Sequence, residues 1–338
     1  MKPAERVVIY RLGSLGDTIA ALPCFHLIER AFPDAERLVL TNIPVSSNAA
    51  PLEGILSDGG FIHGAISYPL RLRDPVALVR LARQLRALRT DTLVYLRRPL
   101  SMAATRRDVA YFRFCGFRRI VGAPLTRDLQ NHRVDGRGEL ERESVRLGRT
   151  LTALGTIDFA DRGWWDLRLS ESERLRGDAA LVGLNGRPFI VVNTGGKAAE
   201  KDWGETNWAS LLSALASGLG ARGLVFVGAR EDGERSERLR ASWPGAPVVD
   251  LCGRLTPRES AAVIERADLF IGHDSGPLHL ADAVGTPCVG LFGNYNAPKM
   301  WHPSGVDTHV IHRMEGLATI APGHVIDTAL RALRPRVR

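Results

Sequence analysis

Short apolar runs alternate with longer stretches whose apolar positions recur every three to four residues, from one end of the chain to the other. Residues 6–12, 37–41, 92–96 and 119–122 are such runs in the first half. Residues 187–193, 223–228, 247–251, 268–272, 288–292 and 309–312 are their counterparts in the second. Their length and their Val, Ile and Leu content predict strands buried on both faces. Helical spacing occupies residues 17–32, 75–89, 101–115, 141–154, 205–217, 257–267, 277–285 and 324–334, with a further helix opening at 229–234. Strand and helix in strict alternation predict α/β architecture with parallel, doubly wound sheets. Residues 158–185, with Trp164, Trp165 and Gly177, follow neither period and predict a link between two such units. The expected division is 1–185, 186–320 and a last helical segment, 321–338.

Bulk properties agree with that picture. A length of 338 residues exceeds one ordinary core and suits two domains. No apolar run reaches the roughly 18–20 residues of a membrane span. The first residues lead almost directly into a strand without a signal-peptide hydrophobic region, so a cytoplasmic protein is expected. Cys24, Cys115, Cys252 and Cys288 are scattered and suggest neither a disulfide framework nor a zinc site. Charge is unevenly placed. Residues 1–185 hold 28 Lys+Arg against 21 Asp+Glu, a net of +7, whereas residues 186–338 hold 17 against 16, a net of +1. A positive first half points to an anionic partner or an acidic membrane surface, against the alternative of a merely solvated Arg-rich face. Nucleic acid is not expected, because no recognition motif accompanies the basic residues.

Open α/β sheets place their chemistry in the loops leaving the carboxyl ends of strands. After the first strand come Gly13, Ser14, Leu15 and Gly16, then Asp17 at a helix start. Asp17 is a candidate general base there, and equally a candidate helix cap. The loop lacks the G-x-G-x-x-G of a dinucleotide site and the Gly-Lys-Ser/Thr of a phosphate-binding P-loop. In the second half, His273-Asp274-Ser275-Gly276-Pro277-Leu278-His279 ends a strand and begins a helix with proline in its first turn. Free N–H groups and the positive end of the helix dipole make that turn an anion seat, with Ser275 and His279 beside it. Of 45 basic residues only Lys2, Lys197, Lys201 and Lys299 are lysines, and three of these fall on second-half loops. Lys201 could neutralise a phosphate as a compact point charge, or be an ordinary surface lysine at a helix entry. Glu231, Asp232 and Glu234 could grip a ribose diol, or simply complement a helix dipole. Asp274 could orient its own turn or pair with Lys201. His279 has no second metal ligand at a usual spacing, and no D-x-D occurs, so no metal is expected.

Residues 11–23 (Arg-Leu-Gly-Ser-Leu-Gly-Asp-Thr-Ile-Ala-Ala-Leu-Pro), 201–208 (Lys-Asp-Trp-Gly-Glu-Thr-Asn-Trp) and 274–281 (Asp-Ser-Gly-Pro-Leu-His-Leu-Ala) together resemble glycosyltransferase family 9, the ADP-heptose:lipopolysaccharide heptosyltransferases. Order and spacing match over nearly the whole chain, and Val289–Gly293 fits as well. The resemblance implies a GT-B fold of two Rossmann-like domains facing across a cleft. The first would bind the acceptor, with Gly13, Ser14 and Gly16 on its loop, and the second the nucleotide-sugar donor, while the final helix would cross back to the first. It implies metal-independent transfer with inversion, Asp17 as general base, and Lys201 with Asp274, Ser275, Gly276 and His279 around the donor diphosphate. No cofactor is implied beyond the co-substrate, expected to be ADP-linked, and the acceptor is expected to be an anionic envelope glycolipid. One departure stands out: where members often carry a Thr pair, this chain has Gly195-Gly196-Lys197, so Gly196 and Lys197 become candidate donor contacts. Another donor, a soluble acceptor, a nucleotide-sugar epimerase and a non-catalytic nucleotide-binding module remain alternatives.

Overall fold

The computed structural model describes residues 5–42, 52–69, 74–196 and 199–333. The chain divides into two units, Met1–Trp164 and Trp165–Arg338. The first contains β1 (Arg6–Tyr10), α1 (Leu15–Ala20), α2 (Leu22–Ala31), β2 (Glu36–Thr41), α3 (Glu53–Leu56), β3 (Gly64–Ser67), α4 (Pro75–Ala87), β4 (Thr92–Tyr95), α5 (Met102–Phe114), β5 (Arg119–Val121), α6 (Arg127–Gln130) and α7 (Glu143–Thr150). The second contains α8 (Glu171–Ala180), β6 (Phe189–Asn193), α9 (Glu205–Gly218), β7 (Gly223–Phe226), α10 (Gly233–Arg240), β8 (Val248–Asp250), α11 (Pro257–Glu265), β9 (Leu269–His273), α12 (Gly276–Ala283), β10 (Cys288–Phe292), β11 (Thr308–His312) and α13 (Pro322–Ala332).

Among the described residues the first sheet has five strands in the order β3-β2-β1-β4-β5, and the second six, in the order β11-β10-β9-β6-β7-β8. Every neighbouring pair is parallel. Each sheet therefore grows outward from its first strand in both directions, which is the Rossmann order. The direction of winding reverses between β1 and β4 in one sheet and between β6 and β9 in the other. Crossover helices on either side splay apart at such a point and leave a crevice at the strands' carboxyl ends. Apolar faces of α4 and α5 cover one side of the first sheet, burying Leu81, Leu85 and Phe112 with Tyr10 and Tyr95. In the second unit Trp203, Trp208, Leu211 and Leu215 pack on Ile190, Val192, Phe226 and Ile271.

Two details differ from the sequence expectation. The helix expected over 17–32 is broken at Ala21 into α1 and α2, because Pro23 lacks an N–H for the helical ladder and its ring crowds the preceding turn. The expected link at 158–185 contains α8, which opens with a Ser170–Glu173 capping box and pairs Glu173 with buried Arg258. The stretch from Trp165 thus belongs to the second unit. Of the last segment, α13 buries Val325 and Ala329 in the second unit's core, and the Trp203 indole N–H donates to the Ile320 carbonyl at 2.8 Å. No helix among the described residues is long and apolar enough to cross a membrane.

Candidate active site

In the first unit the candidate chemistry lies where β1 ends, at the sheet's reversal point. The chain turns at Gly13, whose φ is +150°; a Cβ there would lie 2.5 Å from the Cβ of Asp17, so only glycine fits. Ser14 is the N-cap of α1, and Gly16 lies in its first turn. Asp17 Oδ2 accepts from the Ser14 amide at 2.8 Å and from its hydroxyl at 2.9 Å. One carboxylate oxygen therefore caps the helix, as the bland reading expects. The other, Oδ1, makes no hydrogen bond among the described residues, and the side chain is half-buried. A cap and a proton acceptor can thus be the same residue.

Beneath this loop lie buried charges. Arg11, 1% exposed, donates to the Leu96 carbonyl at 2.9 Å and to the Asp17 carbonyl. Burial pulls its pKa down, against the opposing pull of Asp17 and Glu143. Glu143 is fully buried, receives two hydrogen bonds from Arg146 at 2.6 and 2.7 Å, and lies 2.9 Å from His132 Nε2. Burial alone would raise its pKa; the bonds from Arg146 and His132 outweigh it and hold the value at about 2.

In the second unit the loops after β6, β9 and β10 converge at the other reversal point. β9 ends at His273, and α12 begins at Gly276 with Pro277 in its first turn. Ser275, the N-cap, donates its hydroxyl to Asn193 Oδ1 at 2.8 Å, and Asn193 donates to the Val227 carbonyl at 2.9 Å. That chain of bonds ties the turn to the ends of β6 and β7. Lys201 sits in a 3-10 turn, Ala199–Lys201, with Nζ 2.8 Å from Asp274 Oδ2 and 4.3 Å from the centroid of the Tyr295 ring. Asn296 donates to the same Asp274 oxygen at 2.7 Å. His279, one turn into α12, is buried. Lysine, carboxylate and helix start thus come together, with the lysine held by a carboxylate and an aromatic face, and His279 follows on the same helix.

The glycine departure has a packing cause. A Cβ on Gly195 would lie 2.2 Å from the Asp232 carboxylate, and one on Gly196 would lie 2.6 Å from the Lys201 carbonyl. Asp232 itself turns inward: its Oδ2 accepts from the Ala229 amide at 2.8 Å, and burial raises its pKa despite that bond. Asp232 braces the 194–196 and 228–229 turns, whereas Glu231 and Glu234 stand exposed beside them. Lys197 lies outside the described residues. Sequence spacing gave no sign of three contributors: Tyr295, Asn296 and Arg235, which joins the Thr194 carbonyl to Asp202.

The support below is neutral. His273 is fully buried, accepts the Trp208 indole N–H at Nε2 (3.2 Å) and faces the Gly195 carbonyl with Nδ1 (3.2 Å). A neutral ring protonated at Nδ1 satisfies both partners. Burial lowers its pKa to about 4, against the pull of the Gly195 bond.

Residues 78–318 match glycosyltransferase family 9 (heptosyltransferase). The chain belongs to that family. Lipopolysaccharide heptosyltransferase 3 of Escherichia coli is 29% identical over 147 residues, which is 42% of each chain. The chain spans about two fifths of the length of the curated relatives it matches. Fold likeness extends further. A solved glycosyl transferase family 9 from Veillonella parvula DSM 2008 superposes with a TM-score of 0.75 at 21% identity, over 98% of each chain. The Escherichia coli ADP-heptose lps heptosyltransferase II does so with 0.69 at 19%, over 97% of this chain and 98% of that one. The GT-B class expected from the motifs is the fold of this family-9 chain.

Proposed function

We propose that this family-9 chain transfers heptose from ADP-heptose to an anionic lipopolysaccharide-core or related envelope glycolipid, with inversion and without a metal. The first unit takes the acceptor and the second the donor. The observation that carries the reading is Lys201 held beside Asp274 at the start of α12, on the reversal point of the second sheet. In the proposed step Asp17 Oδ1 takes the proton of the acceptor hydroxyl as its oxygen attacks the anomeric carbon. The bond from that carbon to the diphosphate breaks, and ADP leaves with the electron pair. Lys201 exchanges Asp274 for phosphate, and the α12 N–H groups with His279 meet the charge that grows on the leaving group. The exposed carboxylates of Glu231 and Glu234, after β7, are the groups proposed to reach the ribose. The reaction is placed in the cytoplasm, at the inner face of the membrane.

Purified chain with ADP-heptose should release ADP only when acceptor is added, at a rate EDTA leaves unchanged. Conversion of the donor without acceptor would point to an epimerase instead, and binding without turnover to a non-catalytic module. A melting-temperature screen against ADP, GDP, UDP and CDP identifies the nucleotide by mass action; stabilisation by UDP alone would overturn the ADP assignment.

A further inference from the structure

Helices α4 and α5 lie side by side on the first sheet. The Tyr111 hydroxyl donates to the Leu78 carbonyl at 2.9 Å, Arg86 donates to the Phe114 carbonyl, and both helices bury their apolar sides in one cluster. With those positions turned inward, the opposite sides face out. On α4 the outward positions include Val76, Val79, Arg80 and Arg83, and on α5 Arg106, Arg113 and Phe114, all exposed. Spacings of three, four and seven residues put the α4 set on one helix face, and a spacing of seven does the same for Arg106 and Arg113 of α5.

Within α4 and α5 no carboxylate stands on the outward faces, and the one exposed acid beside them is Asp74, at the N-terminal end of α4. α4 has no acidic residue, and its N-cap Asp74 is committed to the Val76 amide. The single acid of α5, Asp108, is buried and bound by Tyr95 and Arg97. Arg80, Arg83, Arg106 and Arg113 make no ion pair among the described residues. Second-unit helices look different: Arg174 and Arg176 of α8 pair with Glu265 and Glu259, and Arg238 and Arg240 of α10 pair with Glu205 and Glu237. Net charge follows the same division. Residues 1–164 hold 25 Lys+Arg against 17 Asp+Glu, a net of +8, while residues 165–338 hold 20 against 20, a net of zero.

A solvated helix gains nothing from placing Val76 (63% exposed) and Val79 (47%) among arginines that repel one another, whereas Phe114 already lies under the Arg86 guanidinium, 4.5 Å from its ring centroid. An anionic lipid surface answers both features. Headgroup phosphates take the guanidinium forks, and the valines sink into the interface between headgroups and chains. We propose that the α4–α5 face seats this chain on an anionic lipid surface. The inference does not depend on the transferase reading; it adds the place where a lipid-borne acceptor would be met.

The test is sedimentation of the full chain with phosphatidylcholine vesicles, with and without phosphatidylglycerol. Retention is expected only with phosphatidylglycerol, and it should fall as salt rises past about 0.15 M, where the Debye length is about 8 Å. Arg80→Gln/Arg83→Gln/Arg106→Gln/Arg113→Gln should weaken partitioning by about fivefold for each arginine removed. Arg174→Gln/Arg176→Gln/Arg238→Gln/Arg240→Gln removes the same charge from mixed faces and should leave retention near that of the parent. Val76→Ser/Val79→Ser should weaken it by a smaller factor. An unchanged melting temperature for each variant shows that folding is not the cause. ADP release with a lipid-free acceptor, unchanged in the face variant, separates this inference from the activity. No retention on phosphatidylglycerol, equal retention on phosphatidylcholine, equal loss in both quadruple variants, or tighter binding to duplex DNA at equal phosphate concentration would each overturn it.

Discussion

The two sheets share a strand order and present a loop at the same reversal point, yet they hold that loop up by opposite means. Under Asp17 lies an ionic layer of Arg11, Glu143 and Arg146, each almost wholly buried. Under the Lys201–Asp274 loop lies a neutral layer of Trp203, Trp208 and an uncharged His273. Buried ions impose direction, since each guanidinium must find its carbonyl or carboxylate or pay heavily in desolvation. Aromatic packing carries the second loop from below, while the Arg235–Asp202 pair and Asp232 brace its side. A loop that carries its own carboxylate for proton chemistry thus stands on directed bonds. A loop that receives a charged ligand meets that charge at its mouth, with Lys201, above an aromatic layer and beside the Arg235–Asp202 pair.

The comparison breaks most readily at Asp17. Asp17→Ala should lower kcat by about 10²–10⁴-fold while ADP affinity stays near that of the parent; full activity in that variant would leave Asp17 as a cap alone. Next in size is the ionic layer. Glu143→Gln strands Arg146 without its partner and should cost about 3–5 kcal/mol in urea unfolding. A cost under about 1 kcal/mol would mean the layer is not what supports the loop.

Acid should separate the two layers. His273 has an ordinary pKa of 6.5 and a folded value of about 4. Between these values the unfolded chain binds a proton that the folded chain refuses, so stability is intact above 6.5 and falls as pH drops toward 4. The loss is at most about 3 kcal/mol. Glu143 runs from 4.5 down to about 2; its contribution is full above 4.5, declines as pH falls below that and is gone once pH has passed through 2. Tryptophan fluorescence from Trp203 and Trp208 should therefore report loosening of the second unit first. Simultaneous loss of both units near pH 6 would contradict the assignment.

Smaller effects sharpen the mouth of the donor loop. Lys201→Ala should weaken ADP binding by about 10- to 100-fold, from the roughly 1.5–3 kcal/mol of a charged hydrogen bond, with a lesser effect on kcat if lysine serves binding more than the transition state. Unaltered ADP affinity would remove Lys201 from the donor site. Tyr295→Ala should cost about 0.5–1 kcal/mol in the same assay, the size of an exposed cation–π contact, and Tyr295→Phe should cost almost nothing.

Legibility from sequence followed the strength of local signals. Strands β6, β9 and β10 are continuous apolar runs and could be read directly. β3, Gly64–Ser67, is short and only partly buried, and left no periodic trace. α8 was hidden by its polar composition, although the Ser170–Glu173 spacing was a capping signal in plain view. Among site residues, Asp17, Lys201, Asp274 and His279 stand in motifs that local geometry explains. Tyr295 and Asn296 contribute through contacts that bridge strand ends, and no spacing in the chain announces those.

By itself the sequence determined the alternation of strand and helix, the glycine-bounded turns before α1 and α12, and the side chains that could handle protons and phosphate. These are properties of neighbours along the chain, set by periodicity, capping and backbone freedom. Tertiary structure alone decided that Asp232 turns inward against Gly195, that Lys201 rests on Asp274 and Tyr295, that His273 is neutral, and that α13 belongs to the second core. Each of these depends on what burial brings together from distant positions. The cost of an unpaired charge or a misplaced Cβ is paid only when the chain has closed around it.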